Sequence, residues 1–363
     1  MNLFIRTSIA PYRVDFYNAL HRQLDMQMCF YHRRPSDQQF DPAWLESLCA
    51  FKPVYLKGIR LGKDSRKWCS GLGKMVRKEK PDVVIVPEFQ LPLFQLLLIR
   101  FFQRKRFKIV SLCDDSIDMI ERGNDFTRLH RIMRSWAPRL LDDIIVVHPS
   151  VREWYRRHFG IGQWMPIMMD DVRARDKYAS LLSLSLQYQQ QYALEGKKVV
   201  IFVGRLVKLK NVDLLLKAFS RLQQDAVLIV VGEGEEAAAL QQQAASIPGR
   251  ILFTGRLEGD SLYAWYNLAD VLALPSSREA FGAVVNEALL GGTRVAVSSH
   301  AGSACLVNEG NGAVLSSLDP EAIAAILDDQ LRKSTSFSGD LRPSLMPFRF
   351  EEKIQELIAA IKE

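Results

Sequence analysis

Short apolar runs alternate with amphipathic stretches along almost the whole chain. Asn2–Arg6, Met26–Tyr31, Val83–Val86, Lys108–Leu112 and Ile144–Val147 form one series. Val199–Val203, Ala226–Val231, Ile251–Thr254, Val271–Leu274 and Arg294–Ser298 form a second. Runs this uniformly apolar predict strands covered on both faces, as in a parallel sheet. Asn211–Gln223, Glu235–Ala245, Ser261–Ala269 and Gly282–Leu290 carry apolar residues at helical spacing between the strands of the second series. Strand–helix alternation repeated in two blocks predicts an α/β protein of two doubly wound domains. The stretch between the blocks, roughly Met165–Gly196, is irregular and then Gln- and Leu-rich over Ser183–Gln191; it is the predicted junction, with a connecting helix. Phe350–Lys362 returns to a helical pattern through Ile354, Leu357, Ile358 and Ile361, and the pattern alone does not assign it to either domain.

The length of 363 residues exceeds what one hydrophobic core usually fills, which agrees with two domains. With 48% hydrophobic and 25% charged residues, the composition is that of a folded enzyme rather than a disordered chain. Five cysteines, far apart and in no metal-ligand spacing, fit a reduced compartment. The opening Met-Asn-Leu-Phe-Ile-Arg is too short an apolar run for a signal peptide, so a cytoplasmic location is expected. Phe89–Phe102, interrupted by Gln90, Pro92, Gln95 and Arg100, falls short of the roughly 20 residues of a membrane span and predicts a buried or interfacial helix.

The formal charge of +7 is unevenly placed. Residues 1–180 hold 31 Lys and Arg against 20 Asp and Glu, a net of +11, whereas the remainder nets −4. Lys52–Lys80 alone carries ten basic and two acidic residues, interleaved with Leu56, Ile59, Leu61, Trp68, Leu72, Met75 and Val76. Such a surface attracts an anionic lipid, an anionic substrate or nucleic acid, or is simply solvated. No recognition helix, zinc finger or RNA-binding signature is present, so nucleic acid is not expected as a partner.

Ligands of open parallel sheets bind beyond the carboxyl ends of the strands. After Val199–Val203 the chain runs Gly204-Arg205-Leu206-Val207-Lys208-Leu209-Lys210-Asn211 into a helix, so Arg205 and Lys210 lie beside a helix N-terminus and suit a phosphate or diphosphate. After Val271–Leu274 comes Pro275-Ser276-Ser277-Arg278-Glu279-Ala280-Phe281-Gly282-Ala283. This places Glu279 in a loop and Glu287 in the second turn of a helix starting near Phe281 or Gly282. Two such carboxylates are acceptors for sugar or ribose hydroxyls, and Gly282 would let a ligand approach the backbone.

These motifs in this order resemble the retaining glycosyltransferases of family 4: Val203-Gly204-Arg205-Leu206, Lys210, Val231-Gly232-Glu233-Gly234, Leu252-Phe253-Thr254-Gly255, and Glu279 and Glu287 at Glu-x7-Glu spacing. The likeness is close over roughly 199–315. It implies a GT-B fold, two Rossmann-like domains facing across a cleft: an acceptor domain 1–165, joined by the helix 346–363, and a nucleotide-sugar domain 166–345. It also implies that Arg205 and Lys210 neutralise the donor diphosphate and that Glu279 orients the transferred sugar beside the backbone of Phe281, Gly282 and Ala283. Glu287 would hold the ribose, with Arg256 and Leu257 near the base. The implied activity is retaining transfer from a nucleoside-diphosphate sugar, UDP favoured over GDP, to a saccharide or lipid-linked saccharide in cell-surface polysaccharide or glycoconjugate assembly. No cofactor is implied, and the sequence contains no Asp-x-Asp to hold a metal against the diphosphate. The first block departs from the family. Thr7-Ser8-Ile9-Ala10-Pro11-Tyr12-Arg13 replaces a glycine-rich loop, and Cys113-Asp114-Asp115 stands where relatives often have His, leaving Tyr12, Arg13, Asp114 and Asp115 as acceptor-side candidates.

Two rival functions are compatible with parts of the sequence. Gly232-Glu233-Gly234-Glu235-Glu236-Ala237 formally fits a dinucleotide fingerprint and would suit an oxidoreductase, although its glutamates would repel a pyrophosphate. A GT-B scaffold that binds a glycan or partner without catalysis is the other. Five of the six histidines (His21, His130, His148, His158, His300) are expected to be structural. With the basic first block, the reading is a cytoplasmic enzyme, peripheral on the inner face of the membrane.

Overall fold

The computed structural model describes residues 1–34, 41–60, 67–103, 106–116, 119–120 and 128–363. Leu61 and Arg66 of the basic segment, and Arg104 and Lys105, lie outside the described residues. The chain divides into two compact units, Met1–Met169 with Phe350–Glu363, and Asp170–Arg349.

The first unit is built on strands β1 (Asn2–Arg6), β2 (Met26–Phe30) and β3 (Val54–Tyr55), a small antiparallel pair β4 (Gly58–Arg60) and β5 (Lys67–Cys69), then β6 (Val83–Pro87), β7 (Lys108–Cys113), β8 (Asp143–Val146) and β9 (Gln163–Trp164). The main sheet is parallel with the order β3-β2-β1-β6-β7-β8-β9. The chain steps outward from β1 to β3 and then returns to β1's other side, where Leu3 lies opposite Val84 and Phe4 opposite Ile85. The strand order therefore reverses between β1 and β6. The uniform apolarity of β1 and β6 follows from burial on both faces: Leu3, Phe4, Ile5, Val84, Ile85 and Val86 have no exposed surface. The C-terminal helix Phe350–Lys362 buries Phe350, Ile354, Leu357, Ile358 and Ile361 in this unit. Lys108 Nζ donates to its last turn, at Ile361 O, over 3.2 Å.

The second unit contains β10 (Lys198–Val203), β11 (Ala226–Val231), β12 (Arg250–Gly255), β13 (Val271–Leu274), β14 (Arg294–Ser298) and β15 (Gly312–Leu315), all parallel, in the order β12-β11-β10-β13-β14-β15. Its order reverses between β10 and β13. The Gln- and Leu-rich stretch is not a free connector. It forms the helix Leu182–Gln191, which follows Asp171–Ser180 and packs within this unit on the helix Asp260–Leu268. Ser185 Oγ donates to Ala264 O at 3.1 Å, and the Tyr188 and Trp265 rings lie 5.1 Å apart. Ser185 is buried in this contact and Leu182, Leu184 and Tyr188 are half-buried beside it, so tertiary packing orders a segment whose own apolar face is weak. The buried Arg342 guanidinium donates to Tyr266 O and Ala269 O, fastening the Arg342–Pro347 loop to the same unit.

Candidate functional site

Both reversals of strand order carry polar residues at the carboxyl ends of the flanking strands, where an open sheet leaves a crevice. In the second unit, β10 ends in Gly204 and a loop whose 3-10 turn, Lys208–Lys210, leads into the helix Val212–Phe219. Asn211, in the left-handed region at φ 51°, turns the chain, and its side chain donates to Pro275 O at 2.9 Å. Ser277 N donates to Leu209 O at 2.9 Å. The loops after β10 and β13 are thus tied together, and Lys210 Nζ forms an ion pair with Glu279 Oε2. Arg205 lies exposed in the same loop and makes no ion pair among the described residues. A third loop supports Glu279: Glu279 N donates to His300 O, and Gly302 N donates to Glu279 O, both at 3.2 Å.

The helix after Glu279 begins at Val284, later than expected, so Glu287 sits in its first turn rather than its second. Gly282 has φ +91°, and a Cβ there would come within 2.8 Å of Leu274 and 2.9 Å of Ser303 Oγ. Protein side chains therefore already crowd the space expected to admit a ligand. Glu287 Oε2 accepts from Tyr266 Oη at 2.9 Å. Burial pushes its carboxyl up to about 7, against the lowering effect of that hydrogen bond. Arg256 is exposed but engaged, pairing with Glu258 and standing 3.7 Å from Glu233; Leu257, next to it, is half-buried.

The glycines of the dinucleotide-like motif serve packing. A Cβ on Gly232 would fall 1.8 Å from Gly204 O, and one on Gly234 2.3 Å from Leu206 O. Leu206 N donates to Glu233 O at 2.8 Å, and Glu236 N donates to Leu206 O at 3.0 Å. The turn admits the backbone of the Arg205 loop where a dinucleotide fingerprint would admit a pyrophosphate, which removes the sequence basis for the oxidoreductase reading.

The first unit holds a polar pocket of about 240 Å³, lined by Arg6, Thr7, Ser8, Ala10, Tyr12, Arg13, Tyr17, Glu88, Gln90 and Asp114. It opens at the ends of β1, β6 and β7. Asp114 accepts from both Arg6 and Arg13, and Arg6 Nη1 also donates to Leu112 O at 3.0 Å. Burial acts to raise the Asp114 carboxyl, but the two guanidinium groups hold it below the usual carboxylate range. Tyr12, Arg13 and Asp114 therefore do meet. Asp115 does not join them: it is buried in an ion pair with Arg134, which also contacts His130 Nε2 at 3.1 Å. That pairing corrects its place among the acceptor-side candidates.

Arg6 and Glu88 were not singled out from the sequence. Each ends or follows a central strand, a position that could have flagged them. Burial, reinforced by Asp115, pushes the Glu88 carboxyl up to about 8 despite Arg6. Glu88, Cys113 and Asp115 each offer an atom within 4.8 Å of the others, a grouping that could hold a metal. Glu88 and the Cys113 thiol favour their protonated forms, and Asp115 is committed to Arg134, so the group is poorly suited to a cation. The histidines play local parts: His148 Nδ1 accepts from Ser150 N at 3.1 Å as a helix N-cap, and His158 stacks on Trp154 at 4.4 Å.

Two such units, each a parallel sheet flanked by helices, define the GT-B fold of glycosyltransferases. The whole chain aligns with an Anabaena protein, HepE, solved in complex with UDP and glucose, at a TM-score of 0.73 and 17% identity over 100% of this chain and 99% of that one. Residues 186–341 match the family model described as Glycosyl transferases group 1, so the second unit carries a glycosyltransferase group 1 domain. A D-inositol 3-phosphate glycosyltransferase of Xylanimonas cellulosilytica is 29% identical over 210 residues, which are 55% of this chain and 46% of that protein. A GDP-mannose-dependent alpha-mannosyltransferase of Corynebacterium glutamicum is 37% identical over 140 residues, 37% of this chain and 32% of that protein. The chain spans between about a third and a half of the length of these curated relatives.

Proposed function

We propose that the protein transfers a sugar from a nucleoside-diphosphate sugar, with retention and without a metal, to a saccharide or lipid-linked saccharide at the inner face of a membrane. The observation that carries the reading is the meeting of Lys210 and Glu279 on two loops at the β10/β13 reversal, with exposed Arg205 beside them. Departure of a nucleoside diphosphate builds negative charge, and a preorganised pair of cations stabilises it most where water is excluded. In this reading Lys210 exchanges part of its bond with Glu279 for the diphosphate, Arg205 supplies the second cation, and the released Glu279 carboxylate accepts hydroxyls of the transferred sugar. Glu287 takes the ribose hydroxyls. Arg256 is already held by Glu258, so Leu257 is the better candidate for packing on the base.

The acceptor is assigned to the Arg6–Arg13–Asp114 pocket. There Asp114 accepts acceptor hydroxyls, and Glu88, protonated near neutrality, donates a hydrogen bond. The UDP of the Anabaena protein supports a UDP-sugar, and the GDP-mannose-dependent relative makes GDP-sugars the necessary comparison. The test is thermal shift and donor turnover across UDP-, GDP- and ADP-sugars, with and without excess chelator. Stabilisation by one nucleotide class, with turnover that survives chelation, is expected. Binding without turnover for any acceptor would instead favour a catalytically inactive binder, and an absolute requirement for Mg²⁺ or Mn²⁺ would overturn the metal-free mechanism.

A further inference from the structure

No helix among the described residues is long and apolar enough to cross a membrane. Yet the first unit exposes large apolar side chains on adjoining elements. Phe101 and Phe102, at the end of the helix Leu91–Phe102, are 81% and 80% exposed, and their rings meet edge to face at 5.2 Å. Leu98 is exposed one turn earlier. Phe94 of that helix lies 6.2 Å from Trp136, whose own helix, Arg128–Trp136, also exposes Ile132. On its other side the helix is fastened to β5, where the Gln95 amide bonds both Cys69 N and Cys69 O at 2.9 and 3.0 Å. Ile99 lies against Gly73 of the basic helix Leu72–Glu79. The described part of the basic segment and the aromatic residues therefore belong to one set of packed elements.

The exposed charge around this apolar ridge is mainly positive, although Glu79 pairs with Lys78 on the neighbouring helix and Arg134 is buried against Asp115. From Phe89 to Cys113 the sequence holds five basic residues and no acidic one; from Arg128 to Leu141 it holds four arginines and no acidic residue. Arg106, Arg131 and Arg139 are exposed there, as are Lys74, Arg77 and Lys78 on the neighbouring helix. The nearby carboxylate of Asp142 is paired with Arg100. Protruding aromatic and aliphatic side chains ringed by cations match the boundary between acyl chains and anionic headgroups. A second copy of the chain would bring the same positive charge against it.

We propose that this ridge, with Phe101 and Phe102 as its inserting residues and the flanking lysines and arginines as its headgroup contacts, docks the protein on anionic lipid. The proposal deepens the reading above by naming the surface that meets the membrane, and rests on it only for the lipid-linked acceptor.

The test is co-sedimentation of the full chain with phosphatidylglycerol-rich and with pure phosphatidylcholine vesicles, at about 0.01 M and about 1 M salt. Binding is expected only to the anionic vesicles and is expected to fall with salt. F101S/F102S should weaken it at least about tenfold, and each arginine neutralised in R131Q/R139Q about fivefold. The thermal midpoint, and turnover of a water-soluble acceptor, should stay at the wild-type level in F101S/F102S, because both rings already face solvent. Equal vesicle binding by F101S/F102S, or no binding of the wild type at low salt, overturns the proposal. So does a wild-type dimer in sedimentation velocity that F101S/F102S dissolves, which would assign the ridge to a second copy. A wild type that binds vesicles but transfers no sugar would break the reaction proposed above and leave the docking surface standing.

Discussion

The two reversals of strand order solve the same geometric problem with opposite electrostatics. At β10/β13, the polar residues sit on loops tied by backbone hydrogen bonds, with the Lys210–Glu279 ion pair and an exposed Arg205. At β1/β6, they form a shared network in which Arg13 is 1% exposed and half-buried Asp114 is held between two guanidinium groups. The half-buried Lys210–Glu279 pair is one isolated contact between two loops, and a ligand that replaces one partner leaves the backbone ties between those loops in place. The β1/β6 group is a shared network in which Asp114 serves two guanidinium groups, one of them fully buried, so removing Asp114 strands charge away from water. Substitutions in the first place should therefore be read in turnover, and in the second place in stability as well.

The sharpest way to break that contrast is Lys210→Ala. If the cation meets the leaving diphosphate as charge develops, its loss should lower turnover by about 100- to 1,000-fold, in the range found for a single preorganised donor. The melting transition should move less than turnover does, since the side chain belongs to a loop whose ties to the Glu279 loop remain. Arg205→Ala should follow the same pattern. Steady-state kinetics with the preferred donor, beside a thermal scan, decides the matter. A variant that unfolds without a specific kinetic defect would place Lys210 with the buried network.

Asp114→Asn is the complementary experiment and should be the more damaging to the fold. It leaves Arg13 without its carboxylate and Arg6 with only Glu88, 3.9 Å away, and breaking such a partly buried network costs up to about 3 kcal/mol. Because the folded carboxyl is held below its ordinary value, its stabilisation is present at neutral pH. It is lost as the pH falls below about 4, where the folded protein must finally take up the proton. Urea unfolding of wild type and variant should thus differ at neutral pH and converge in acid. A constant difference across that range would remove the carboxylate's charge from the account.

The sequence exposed the two sites unequally. The loops after β10 and β13 could be read because each follows an unmistakable apolar strand; Arg205, Lys210 and Glu279 lie in those loops, and Glu287 in the helix after the second. The β1/β6 network depends on contacts across 108 residues, from Arg6 to Asp114, and no local pattern reports such a pairing. Asp114 and Asp115 are adjacent in sequence but are drawn to different arginines, a choice made only by packing. The two-residue strands β3 and β9 give no periodicity to measure, and β15, Gly312–Leu315, opens on Gly-Ala and so carries little strand signal. The Gln- and Leu-rich stretch reads as a connecting helix in the sequence because the residue it packs on, Trp265, lies far along the chain.

A finer test concerns Glu287, which is buried like the first unit's network yet assigned to the ligand like the loop residues. Its carboxyl is pushed up to about 7 from an ordinary value near 4.5, so between those values the folded protein keeps a proton that the unfolded chain has released. Stability contributed by this residue therefore falls as the pH rises through that window. Ribose hydroxyls need an acceptor, and the ionised carboxylate accepts them more strongly than the neutral acid. Affinity for a nucleotide-sugar, whose own diphosphate does not titrate here, should then rise about tenfold between about pH 6 and about pH 8, with release of a proton on binding. Glu287→Gln keeps an oxygen for the Tyr266 hydroxyl but removes the titration, so its affinity should be lower at high pH and flat across the range. Calorimetry in two buffers of different ionisation enthalpy reads both quantities. A wild-type affinity that does not change with pH, or a variant that keeps the slope, would return Glu287 to a purely structural place beneath Tyr266.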